Sequence, residues 1–109
     1  MPAGYCLVLC TCPDNETALE LAAALVNARL VACVNVLPRM TSVYAWEGRV
    51  ESAEEHLLLM KTHMNLFEEL EPFIRHHHPY NVPEIISVPI AQGSDNYLSW
   101  IASWIGNQL

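Results

Sequence analysis

The stretch LVACVNVLPRMTSVYAW at residues 30–46, with EGR at 47–49 and VESAEEHLLLMKT at 50–62, decides how this chain is read. Val31, Val34, Val36, Val43, Tyr44 and Trp46 are β-branched or aromatic, the types that fit a pleated surface. Glu47-Gly48-Arg49 supplies a turn, and Val50 to Thr62 returns as a second long strand through Leu57-Leu58-Leu59-Met60. At about 3.3 Å per residue the first arm, residues 30–46, would reach roughly 56 Å. A compact chain of this size, with a radius of gyration of ~13 Å, is only about 30–35 Å across. Pro38 is expected to bend or interrupt the first arm, yet part of the hairpin must still protrude. An arm carrying Tyr44 and Trp46 has to bury them somewhere, and another copy of the chain is the natural partner.

Upstream, Tyr5 to Thr11 is a short apolar run stopped by Pro13, which reads as a buried strand. Asp14 follows as a helix cap, and Ala18, Leu21, Ala22, Leu25 and Ala28 recur at helical spacing over about residues 15–28. Downstream, Leu66, Phe67, Leu70, Phe73 and Ile74 define a second helix over about 65–76. Pro72 lies inside it and should kink it or shorten its start. Ile85 to Ala91 reads as a strand whose Pro89 implies an edge or bulge position. Ser94 or Asp95 then caps a short final helix with Tyr97, Leu98, Ile101, Trp104 and Ile105 on one face. The order β-α-β-β-α-β plus a terminal helix is that of an α+β, ferredoxin-like sandwich, one domain over residues 1–109. That topology brings Cys10, near the end of the first strand, and His77 and His78, at the end of the second helix, to the same edge of the sheet.

Composition narrows the function. Apolar residues make up 52% and charged residues 16%, an excess of apolar surface for a small soluble domain that points to burial between subunits. The net charge of -7 and five scattered Lys/Arg leave no basic stripe for phosphates, which argues against nucleic-acid binding. No apolar run is long enough to span a bilayer, and the N-terminus lacks the pattern of a secretory signal. A cytoplasmic location is expected, with Cys6, Cys10, Cys12 and Cys33 as free thiols.

The segment His76-His77-His78-Pro79-Tyr80-Asn81-Val82-Pro83-Glu84 is the chemically distinctive one. Two prolines stiffen a turn that carries adjacent imidazoles. Thiolate and imidazole together suit copper or zinc rather than magnesium or calcium. Read from the residues alone, Cys10 serves equally as a small buried hydrophobe, and the histidines as residues favoured by the helix dipole. Neighbouring His77 and His78 project differently on a helix, so both reach one ion only where the helix has ended. Cys12 shares a strand face with Cys10 but is the weaker candidate because Pro13 ends the strand. Glu84 reads as an ion-pair partner, a ligand or a general acid, with pairing the default. Glu54 and Glu55 should alternate, one exposed and the other able to pair across the subunit interface. No HExxH, P-loop, GxGxxG or spaced nucleophile–base pair occurs, so an enzyme is not expected.

Set in order, these pieces resemble the CutA divalent-ion-tolerance family. The matching segments are Leu9-Cys10-Thr11 before Pro13-Asp14, Ala32-Cys33-Val34-Asn35, Ser42-x-Tyr44-x-Trp46-x-Gly48 and Lys61-Thr62. They continue as His78-Pro79-Tyr80-x-x-Pro83-Glu84 and Gly93 followed by Tyr97-Leu98-x-Trp100. Pro72 and His76 depart from the usual pattern. The resemblance implies a homotrimer of ferredoxin-like subunits joined through the long hairpins and a role in tolerance to divalent metals, copper above all. It also implies that Cys10, His77 and His78 are the copper ligands. The competing reading is a trimeric signalling or scaffold protein that binds a partner or small effector, with metal affinity incidental.

Overall fold

The first strand, β1 (Tyr5–Cys12), sorts the molecule into two faces. Cys6, Val8, Cys10 and Cys12 are buried without exposure, as strand alternation demands of one face. Leu7 and Leu9 point to the other and are half-buried. The computed structural model describes residues 4–106. After β1 come α1 (Asn15–Asn27), β2 (Cys33–Trp46), β3 (Arg49–His63), α2 (Phe67–His77), β4 (Ile86–Pro89) and α3 (Asp95–Ile105). The sheet order is β2-β3-β1-β4, with every neighbouring pair antiparallel. This is the expected ferredoxin-like arrangement.

Local signals account for the boundaries. The side chain of Asp14 caps α1 by accepting the Thr17 N–H at 2.8 Å, and Ser94 does the same for α3 through the Tyr97 N–H. Glu47 and Gly48 both take positive φ, 49° and 77°, as a two-residue hairpin turn between paired Trp46 and Arg49 requires. At Pro38 the register of β2 against β3 shifts between Leu37 and Met40, and Arg39 adopts φ 51°. One extra residue on β2 therefore forms a bulge, so the strand bends without breaking. α2 continues through Pro72. The irregularity falls at its start, where Met64–Leu66 form a tight 3-10 turn before α-helical bonding begins. Among the described residues β4 pairs only with β1, so Pro89 sits on an edge strand.

The core lies between the sheet and the first two helices. Ala18, Leu21 and Leu25 from α1, and Leu70 and Ile74 from α2, pack on Cys6, Val8, Cys10, Leu58 and Met60. A second cluster joins Leu98, Ile101 and Ile105 of α3 to Tyr5, Ala32 and Leu66. There Arg29 stacks 3.6 Å over the Trp104 ring, and the Trp104 indole N–H donates to Val26 O at 2.7 Å. The remainder of the outer sheet face stays open: Leu37 is 41% exposed, Val88 41% and Ile86 51%.

The hairpin protrudes as expected. β1 pairs with β3 only from His56 to His63, so residues 40–46 and 49–55 form a two-stranded arm. The molecule measures 45 × 25 × 23 Å, and its radius of gyration of 14.5 Å exceeds the ~13 Å of a compact chain of this length. Tyr44 and Trp46 are exposed on that arm.

Truncating Leu58, which is fully buried, to alanine should destabilise the protein by about 2–5 kcal/mol. Leu19→Ala on the exposed side of α1 should change stability by no more than about 0.5 kcal/mol. Urea unfolding at matched protein concentration distinguishes the two; equal effects would mean that the sheet–helix layer is not the core.

Candidate functional site

Where β1 ends and α2 ends, three soft or borderline donors converge. β1 extends to Cys12, one residue beyond the expected stop, so Cys12 shares the helix-side face with Cys10. α2 extends to His77, again one residue further, and His78 is the first residue to leave helical geometry, with φ -93° and ψ 139°. That change of backbone turns the His78 ring inward. The donor atoms of Cys10, Cys12 and His78 all lie within 4.8 Å of one another, and all three residues are buried.

His77 goes the other way. It is still helical and exposed, its Nδ1–H donates to Phe73 O at 2.8 Å, and its ring stacks on Phe73 with centroids 4.3 Å apart. His76 is also exposed, edge-on to His77. Of the three residues singled out as ligands, the structure brings Cys10 and His78 together and keeps His77 out. The place expected for His77 beside them is taken by Cys12.

The protonation pattern of the cluster follows from its partners. His78 Nε2 lies 2.7 Å from Thr11 O, and a carbonyl only accepts, so Nε2 carries the proton. Nδ1 accepts the Tyr80 N–H at 3.1 Å, which sets the neutral Nε2–H tautomer. The same Nε2 is 3.8 Å from Cys12 Sγ. A hydrogen bond from Cys10 lowers the Cys12 pKa, and the hydrogen bond from His78 adds to this against the effect of burial. Cys10 shifts far upward, first because it gives its proton toward Cys12 and then because it is buried. The two shifts run in opposite directions because a shared proton couples the neighbouring sulfurs.

One residue beside the cluster was not singled out from sequence. His56 stands directly across from Cys12 in the β1–β3 pairing, and its Nδ1 is buried with no hydrogen-bond partner. On the outer face, the Tyr80 hydroxyl donates to Glu55 at 2.8 Å. Burial first, and the Glu55 bond and charge next, raise the Tyr80 pKa. Glu55 is buried and Glu54 exposed, the alternation expected on the hairpin. Ser42, Tyr44, Trp46, Glu55, Tyr80 and Glu84 line a cleft of about 630 Å³ between the arm and the turn after α2.

Comparison with known proteins agrees with this architecture. A family model described as CutA1 divalent ion tolerance protein matches residues 6–104. The divalent-cation tolerance protein CutA of Thermus thermophilus is 47% identical over 95 residues, covering 87% of this chain and 92% of that protein. Protein CutA of Mus musculus is 42% identical over 101 residues, and the match spans 93% of this chain but 57% of the mouse protein. Among solved structures, the divalent cation tolerance protein of T. thermophilus superposes with a TM-score of 0.90 at 45% identity, covering 92% of this chain and 97% of that one. CutA of Xylella fastidiosa gives 0.91 at 37% identity, covering 94% and 99%.

The shared proton makes a specific spectroscopic demand. Raising the pH should reveal a thiolate absorbance well below the ordinary thiol pKa of ~8.5. Cys12→Ser should abolish that step and Cys6→Ser should preserve it, since burial pushes the Cys6 thiol up. A step that survives in Cys12→Ser would show that the ionising sulfur is elsewhere.

Proposed function

This chain belongs to the CutA1 divalent ion tolerance family, and from that membership we propose that it is a copper-binding homotrimer acting in tolerance to divalent cations in the cytoplasm, with no chemical turnover. The observation that carries the reading is the convergence of Cys10, Cys12 and His78 in a buried site. Two sulfurs and an imidazole form a donor set suited to copper or zinc and poorly suited to hard cations. A bound ion would supply the positive charge that two neighbouring buried sulfurs otherwise lack. Cys10 and Cys12 would hold it through sulfur. His78 would join through Nε2 after giving up the proton it now directs at Thr11 O. His77, the remaining residue that the family resemblance implies as a ligand, is proposed to stay outside this set because its ring is held by Phe73.

The trimer is supported by surface that a single chain leaves uncovered. Leu37, Ile86 and Val88 are exposed on the outer sheet face, next to half-buried Leu7, Leu9, Leu57 and Leu59. A two-stranded arm with exposed Tyr44 and Trp46 continues that face, and an isolated two-stranded hairpin is marginally stable in water. Among the described residues no helix is long and apolar enough to cross a membrane. A subunit contact through both arm and face would be extensive enough to survive dilution.

A second reading has its own support. The cleft between the arm and the turn after α2 combines three aromatic rings with two carboxylates, which suits a small effector in a signalling or scaffold trimer.

Competitive titration with copper(I), handled anaerobically, and with copper(II) separates the readings. The Cys10→Ser, Cys12→Ser double variant should bind roughly 100-fold or more weakly at unchanged oligomeric mass. Equal binding by the variant and the unmodified chain would eliminate the site and leave the effector reading. Light scattering should give three times the protomer mass for the unmodified chain and a lower mass for Leu37→Glu. A single-protomer mass for the unmodified chain would reject the trimer.

A further inference from the structure

We propose that His56 is a fourth donor of the cluster, making it a two-sulfur, two-nitrogen site that accepts a tetrahedral borderline ion such as zinc(II). The inference rests on the metal reading above and names a residue outside the set on which that reading stands.

Position comes first. His56 and Cys12 are Cα partners in an antiparallel pair, as are Leu58 and Cys10. Directly opposite residues share a sheet face with Cβ atoms about 4.5–5.5 Å apart. His56 therefore rises from the same face as both sulfurs, directly opposite Cys12.

Availability comes second. His78 uses both ring nitrogens, one on Thr11 O and one on the Tyr80 N–H. His77 spends Nδ1 on Phe73 O, and His63 Nδ1 accepts the Asn65 N–H. His56 Nδ1 is, among the described residues, the one buried side-chain nitrogen or oxygen with no hydrogen-bond partner. Native structures rarely leave such an atom unsatisfied, and an ion is among the partners that would satisfy it.

Chemistry comes third. The convergent set is Cys10, Cys12 and His78, and His56 would join it from the pairing position opposite Cys12. His78 binds when the ion takes the place of its Nε2 proton. A three-donor sulfur-rich site leans to copper(I). The fourth donor shifts it toward the closed tetrahedral coordination of zinc. His56 is thus the residue that sets which ion the cluster prefers.

Stoichiometric cobalt(II) and zinc(II) are the probes, used on the full chain. One cobalt(II) per protomer should give thiolate charge-transfer bands with the ligand-field envelope of a tetrahedral ion. In ¹⁵N imidazole spectra of the unmodified protein, the His56 Nδ1 resonance should move on addition of zinc(II). His56→Phe, with its fold checked by circular dichroism, should weaken zinc(II) binding by roughly 100-fold or more. His56→Cys should restore tetrahedral cobalt(II) spectra. An unmoved Nδ1 resonance, or unchanged affinity and spectra in His56→Phe while Cys12→Ser loses both, would overturn the fourth donor and leave the metal reading standing. Failure of the unmodified chain to bind copper, cobalt or zinc stoichiometrically would overturn both.

Discussion

The antiparallel pairing of β1 with β3 is the constraint on which the other features depend. It places Cys12 opposite His56 and Cys10 opposite Leu58, so one face of two adjacent strands carries both the helix-side core and the donor cluster. β1 is hydrogen-bonded on both sides, to β3 and to β4, and its face is packed by α1 and α2. A register slip by one residue would present Leu9 and Thr11 to the helices and carry both sulfurs to the outer face. Burial of Val8, Leu58, Met60, Leu70 and Ile74 opposes that slip, because each would lose its apolar surroundings. The hydrophobic core and the placement of the thiols are therefore one requirement.

A single imidazole links the two faces of the sheet. His78 donates to the Thr11 carbonyl at the end of β1 and accepts the Tyr80 N–H, and the Tyr80 hydroxyl in turn holds Glu55 on the outer face. The chain of contacts runs from the buried sulfurs to the cleft without interruption. Protonation of His78 at Nδ1, or loss of its Nε2 proton in favour of the other nitrogen, breaks the Tyr80 N–H contact, because two donors cannot face each other. The turn of residues 78–84, stiffened by Pro79 and Pro83, is thus coupled to the state of the cluster.

Most of the fold is legible in the sequence because its signals are local and repeated. Alternation in β1, the Asp14 and Ser94 caps, the Glu47-Gly48 turn and the length mismatch of the hairpin each follow from residues near one another. The site is less legible because it turns on single-residue boundaries. Cys12 belongs to the cluster because β1 ends at Cys12 and not Thr11, and His77 leaves it because α2 ends at His77 and not His76. Helix and strand ends are where local propensities are most nearly balanced, and packing decides them. His56 lies in a strand that the sequence identifies, yet no local pattern states which residue of β1 it will face. The partial exception is parity: even-numbered positions on both strands share a face once one pairing is known.

The bulge at Pro38 and Arg39 acts as a half-period phase shift. Before it, odd-numbered residues of β2 such as Leu37 face outward. Beyond it, even-numbered residues do, which sets Tyr44 and Trp46 on the same side as Leu57 and Glu55. The arm is accordingly tolerant of composition and intolerant of length. Apolar residues can be exchanged along it with modest effect, whereas removing one residue at the bulge would invert the outer half of the strand and turn both aromatic rings away from the cleft. Divergence in this segment is therefore constrained to substitution, with insertions and deletions admissible only in pairs or at the Glu47-Gly48 tip.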